Sequence, residues 1–518
     1  MKIQRSCATP ADATKTYGGS RRIVCWLFLV APVVVVVEAI ASPRANQGST
    51  GLNTAPPTNI ITVTNTNDSG SGSLRDALAS ANDGDTIDAT GVSDTILLTS
   101  GELQINHNVT INGPGAGNLA INGNATYRVF ENFASNVTIS GFAITNGHPA
   151  DNNGGGGILT HGGLTLTGTS IVSNSAAISG GGISADSGTV TVSNSTINGN
   201  MALGCGPLCG SDGGGISMSG TLSVTNSTIS GNSASSVGGG IDISGTLTLT
   251  NSVISGNSAF SGGGIVTRGT ATVSNSTISG NSFFCDAGGI FSDGQLTVVN
   301  STISGNISPG GDGAAGCGPE PRGGGGIKNG GPATVINSTI SGNHADLSAT
   351  GAGGGIFNFG SLTVTNSTIS DNTASVGGGA VYNDSGGQTA QIGDTVLNAG
   401  ASGGTIFNNG GTVTSLGYNL ASDDGGGVLT GTGDQINTDP VLGPLQDNGG
   451  PTFTHALLPG SPAIDAGHPN FTPPPFNDQR GTGYPRMLNG RIDIGSFEVQ
   501  PPRPTPRPRP TPHPRPTR

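Results

Sequence analysis

The chain has 518 residues, of which 92 are glycine, 10% are charged and only 4% are aromatic. Glycine does not recur every third residue, which excludes collagen. Ile, Val and Leu clusters return at steady intervals, which excludes plain disorder, and the wealth of Gly, Ser, Thr and Asn excludes a helix-rich fold. The formal net charge is −12, but residues 42–500 carry nine basic and 29 acidic side chains, a net of −20. That charge keeps a Gly-rich body soluble and disfavours nucleic acid or anionic membrane as its partner.

Residues 1–41 read as a secretory signal. Arg21 and Arg22 precede an apolar run from Ile23 to Val37, and small residues flank a cleavage point between Ala41 and Ser42. An uncleaved anchor is the alternative, but Pro32 and Glu38 interrupt the apolar stretch. The expected mature chain therefore has no transmembrane span, and the export route, Sec or twin-Arg, stays open.

After a linker over 42–59, residues 60–150 read as an N-terminal cap and first coils. Ser73 is placed to cap a short helix, with Asp76 at its third position and Leu74, Ala77, Leu78 and Ala81 on one apolar face. The stretch Gly72-Ser73-Leu74-Arg75-Asp76-Ala77 resembles the CSLREA segment of bacterial surface proteins, with Gly in place of its leading Cys.

Residues 151–385 are repetitive. The string Asn-Ser-(Thr/Val)-Ile-(Ser/Asn)-(Gly/Asp)-Asn begins at Asn194, Asn226, Asn251, Asn275, Asn300, Asn337 and Asn366, with the closest copies 24 or 25 residues apart. Three short β-type clusters per repeat cannot each bury a face alone, so they must coil and stack. The expected fold is all-β: a single-stranded right-handed parallel β-helix, a solenoid, with a short N-terminal capping helix. Ile241, Leu247, Leu249, Val253 and Ile254 are the expected inward positions of one coil. Extra residues collect at a single register, at 201–212, 307–323 and 344–352, as insertions on one edge of a solenoid should. About a dozen coils at roughly 4.8 Å each would give a rod on the order of 60 Å.

The seven asparagines that open the repeats align coil above coil, and Asn200, Asn232, Asn257, Asn281 and Asn306 form a second column. Both are expected to act as structural ladders of stacked amides; N-glycosylation of the Asn-x-Ser/Thr copies is the alternative. The Gly-Gly-Gly-Ile and Thr-Ile-x-x-Asn elements resemble the GGAI and FxxN repeats of chlamydial polymorphic outer-membrane proteins, and other right-handed β-helix proteins. That resemblance implies an architecture rather than an activity.

Residues 386–500 carry the last coils. SLGYNLASDD, TDPVLGPLQDNGGPTFTHALLPGSPAIDAG, DQRG at 478–481 and IDIGSFE at 492–498 resemble the choice-of-anchor Q domain of bacterial surface proteins. The resemblance implies surface display without catalysis. His455, Asp465, Asp478, Arg480, Asp493 and Glu498 are then expected to form ion pairs and turn caps. Residues 501–518 alternate Pro with Arg or Thr, which enforces extended polyproline II. This tail reads as a basic stalk for anionic envelope polymer, or as a solvated end.

Chemistry-bearing candidates are few. Cys205, Cys209, Cys285 and Cys317 lie in insertions, and disulfides Cys205–Cys209 and Cys285–Cys317 are expected after export; metal binding and free thiols are the alternatives. No resident metal or cofactor is expected. Aligning coils on the Gly-Gly-Ile isoleucine places Asp186, Arg268 and Asp293 three residues after it, with Asp242 two places earlier in its coil. Asp242, Arg268 and Asp293 are the catalytic candidates, and a surface ion pair is their plain alternative. The favoured function is a secreted or outer-surface rod without catalysis, adhesin-like or structural, with glycans or surface proteins as partners. A polysaccharide lyase or glycoside hydrolase is the rival.

Overall fold

The computed structural model describes residues 58–151, 153–204, 212–283, 287–308, 322–345, 351–385 and 389–501. The expected signal over 1–41, most of the linker, the tail after Pro501 and all four cysteines lie outside the described residues. Among those described, no helix is long and apolar enough to cross a membrane.

The chain forms a right-handed parallel β-helix. Its first wall is a 14-stranded parallel sheet and its second a 12-stranded one. The third wall stacks strands such as Thr228–Ser230, Val253–Ser255 and Thr277–Ser279, flanked by a fourth ladder of very short strands at the corner where the insertions arise. Parallel pairing follows from coiling, because each turn returns to every wall in the same direction.

Each wall sends a fixed register position inward. In the coil from Ile241, residues Ile241, Ile243, Leu247, Leu249 and Ile254 are at most 1% exposed. Along the third wall the same isoleucine recurs as Ile197, Ile229, Ile254, Ile278, Ile303, Ile340 and Ile369, every one fully buried. Each such side chain contributes roughly 1.5–3 kcal/mol relative to exposure. Val253 departs from the expectation, being 37% exposed. Neighbouring strand residues point to opposite faces, so Val253 and Ile254 cannot both face inward.

The seven repeat-opening asparagines occupy a corner with φ of 49–52°. Left-handed backbone is tolerated better by Asn than by other side chains, so this column is set by backbone geometry. In this column Asn337 Nδ2 donates across coils to Asn300 Oδ1 at 2.7 Å. The continuous amide ladder is the second column, running Asn174, Asn200, Asn232, Asn257, Asn281, Asn306, Asn343, Asn372. Asn257 shows the pattern. Its Oδ1 accepts from the backbone N–H and the Nδ2 of Asn232, while its own Nδ2 donates to Ile229 O and Asn281 Oδ1. Every polar atom of the fully buried amide is thus paired. The serine after each corner asparagine forms a parallel row; Ser252 Oγ accepts from Ser227 N–H and donates to Thr250 O.

Both ends are closed, as exposed strand edges require. Helix α1 (Leu74–Ser80) buries Leu74, Ala77 and Leu78 against the first coils, and Ser73 Oγ accepts from Asp76 N–H at its N-terminus. At the far end, Val428 and Leu429 pack into the main core, and Asp423 accepts from Thr405 and Gly425. The segment after Pro440 does not lie over the end. It folds back along the outside of the third wall, where Gln479 Oε1 accepts from Thr339 Oγ1 and Ser341 Oγ meets His455 Nε2.

Candidate functional site

The outward residues of the second wall form two columns. The first, one residue after the inward isoleucine, passes through Glu131, Leu159, Ser184, Ser217, Asp242 and Val266 in unbroken register. Although outward, Asp242 is 6% exposed, because the Gly-rich corner folds over it. Gly238 has φ +66°, and a Cβ there would lie 2.8 Å from Asp242 Cβ. Towards the C-terminus the same column turns aromatic, with Phe357 and Tyr382 stacked at 5.0 Å and Tyr382 and Phe407 at 5.3 Å. Phe357 and Tyr382 are buried with Ala352, so this stretch is a small satellite core. The second column, two residues further on, stays in solvent and includes Phe133, His161, Asp186, Ser219, Ser244, Arg268 and Asp293.

Asp242 and Arg268 meet, with Arg268 Nη1 donating to Asp242 Oδ1 at 2.7 Å. Asp293 is not the partner of Arg268. A carboxylate under the glycine corner is the more poorly hydrated of the two, and an unpaired charge there would be costly. Asp293 instead leans toward Gly330, where an added Cβ would sit 2.7 Å from its Oδ1. Asp212, contributed from the end of an insertion, lines the same polar cavity of about 330 Å³ with Asp186, Asp242 and Arg268. Burial pushes the Asp242 carboxyl up, Arg268 pulls it down and Asp212 raises it again, for a pKa of about 6. Burial likewise raises Asp212, against a smaller opposing effect of Arg268.

Nearer the N-terminus, His161 Nδ1 lies 2.7 Å from Asp186 Oδ2, and its Nε2 lies 3.5 Å from Glu131 Oε1. The imidazole is stacked on Phe133, centroids 5.1 Å apart and planes 19° from parallel. Beyond it, Arg128 is 1% exposed and pairs with Glu102 at 2.6 Å and Asp151 at 2.9 Å while donating to Gly154 O and Gly155 O. Burial and the neighbouring Glu131 raise Glu102 to about 6 against the pull of Arg128. Arg128, Glu102 and Asp151 border a cavity of about 660 Å³ beside α1. Among the described residues, no group of three or more His, Cys, Asp or Glu side chains is placed to hold a metal ion.

No family model and no curated protein sequence matches this chain. A solved structure, the crystal structure of pectate lyase Pel9A, is similar over 86% of this chain and 97% of its own. Its sequence identity is 16% and the TM-score 0.36, a likeness too distant to bear on chemistry.

Beside these candidates the structure places Phe133, His161 and Glu131 along the second wall and Asp212 beside Asp242 and Arg268. A sequence signal was present for two. His161 stands three residues after Ile158 and Phe133 three after Phe130, the same register as Asp186. Asp212 gives no such signal, because it belongs to an insertion. The acidic groups near the C-terminus form local structure. Arg480 Nη2 pairs with Asp478 Oδ2 at 2.5 Å and its guanidinium packs between Tyr484 and Phe497. Asp493 accepts from Asp465 N–H and Val499 N–H.

Proposed function

We propose that the protein is a non-catalytic, surface-displayed binding rod that holds extended glycan chains along the outer face of its second wall. One observation carries this reading. The solvent-facing column from Phe133 to Asp293 presents an aromatic, hydroxyls and charges, one per coil, at a repeat of about 4.8 Å. A periodic polymer with hydroxyls and apolar C–H faces matches such a row, whereas a compact ligand would use only a fraction of it. The signal-like N-terminus, the CSLREA-like segment and the choice-of-anchor-like C-terminal region support export and display. The repeats akin to those of polymorphic outer-membrane proteins fit an adhesin. The basic tail supplies a contact for anionic envelope polymer.

A second reading, a polysaccharide lyase or glycoside hydrolase, is favoured by the Asp212, Asp242 and Arg268 cavity. A carboxyl raised to about 6 beside a second carboxyl suits proton transfer near neutral pH. The test passes the full-length protein over a panel of plant and bacterial polysaccharides and measures retention and released oligosaccharide together. Retention without release supports the rod. Release that vanishes in Asp242→Asn and Arg268→Ala would make the cavity an active site and overturn it.

A further inference from the structure

We propose that the depression formed by Phe133 and His161 is a subsite for one uncharged pyranose ring of a longer glycan, an assignment that rests on the glycan-binding reading above. The depression measures about 500 Å³ and is bordered by Ser135, Asn136, Thr165 and Thr191 in addition to the two rings. Phe133 is 49% exposed. An isolated exposed phenylalanine is ordinary. This one lies nearly parallel to an imidazole whose Nδ1 is hydrogen-bonded to Asp186 at 2.7 Å and whose Nε2 lies 3.5 Å from Glu131. The imidazole covers one face of Phe133 and holds this half-exposed ring beside a line of hydroxyl and amide groups. Recognition of a pyranose needs both, a flat π-face for its C–H groups and polar atoms around its rim.

The charge of the ligand follows from the neighbours. The Asp186 side chain is 62% exposed and can accept from a sugar hydroxyl. Both ring nitrogens of His161 already face carboxylates, and the next Arg along the column, Arg268, is engaged by Asp242. A uronate or sulfated sugar would bring its negative charge against Asp186 and Glu131, and no Lys or Arg is among the described residues bordering the depression. An uncharged ring meets no such penalty. The subsite is also local: the equivalent position is Asn106 one coil before Phe133 and Ser219 one coil after Asp186.

The test titrates the full-length protein with cellohexaose, xylohexaose and hexagalacturonate by calorimetry, alongside Phe133→Ala and Phe133→Trp. The expected result is binding of a neutral hexaose that weakens at least tenfold in Phe133→Ala and persists in Phe133→Trp, with hexagalacturonate unbound. Unchanged thermal melting of Phe133→Ala checks that the fold is intact. Equal binding of a neutral hexaose by wild type and Phe133→Ala would overturn the subsite and leave the glycan-binding rod standing. Preference for hexagalacturonate would overturn the assigned charge class. Binding of none of these oligomers would overturn the subsite, while retention on the polysaccharide panel would still speak separately for the rod.

Discussion

Two asparagines from one coil do different work. Asn251 sits at an exposed corner with φ 49°, where glycine would adopt the same backbone without strain. Asn257 is fully buried and every polar atom of its amide is paired. Asn257→Ala leaves the backbone N–H of Asn232 and one N–H of its amide without their acceptor, and should cost roughly 2–4 kcal/mol in chemical denaturation. Asn251→Gly should change the midpoint little. At the candidate site, the folded-state pKa of Asp242 is raised from 3.8 to about 6. The folded protein thus favours the protonated form, and this contribution to stability is present below pH 3.8 and lost as the pH rises through 6. Melting temperatures of wild type should therefore fall more steeply over that window than those of Asp242→Asn. A parallel pair of curves would show that Asp242 titrates normally.

At the scale of an element, the recurrent unit is one coil, and its tightest point is the Gly-Gly-Ile corner. A Cβ on Gly240 would lie 2.6 Å from Gly264 O in the next coil. Neighbouring backbones pass so closely that no side chain fits, and the obstacle is main chain that cannot swing away. Gly240→Ala should destabilise by roughly 1–3 kcal/mol, as overpacking does. The effect should appear as a lowered denaturation midpoint and as faster hydrogen exchange at the amides of Ile216 and Ile241, on either side of the forced gap. Insertions enter just before this corner, so they lengthen the edge without touching the core column of isoleucines.

Across the whole molecule, the C-terminal region straps the last coils from outside. Its contacts reach far along the chain: Gln479 Nε2 donates to Thr302 Oγ1, and Ser496 N–H donates to Thr368 Oγ1. The strap contains Arg486, fully buried among Asp394, Asp478, Asp493 and Glu498. Burial, reinforced by Asp493, lifts Glu498 from 4.5 to about 8. Because that folded pKa is raised, the Glu498 contribution is full below pH 4.5 and is lost as the pH climbs through 8. Limited proteolysis of the region after Pro440 should accelerate between pH 6 and pH 9 in wild type. In Glu498→Gln that acceleration should be much reduced, and equal acceleration in both would place the sensitivity elsewhere.

Local sequence encoded the coil, its inward isoleucines and leucines and the left-handed corners in the repeat, and the capped helix α1 before it. Each of these is encoded locally, by a residue that must enter the core, adopt positive φ or satisfy a helix end. The choice between Val253 and Ile254 as the inward residue was legible too, through strand alternation, once Ile254 was assigned. Tertiary structure alone decided who meets whom on the outside. Arg268 could reach a carboxylate on either adjoining coil, and the dry environment under Gly238 selected Asp242. Asp212 arrived through an insertion whose path no periodicity describes. The strap took the lateral face of Thr302, Thr339 and Thr368 rather than lying over the C-terminal end. Core register repeats and is therefore readable from one coil, whereas outer contacts depend on loop paths and relative hydration, which exist only after the coils have stacked.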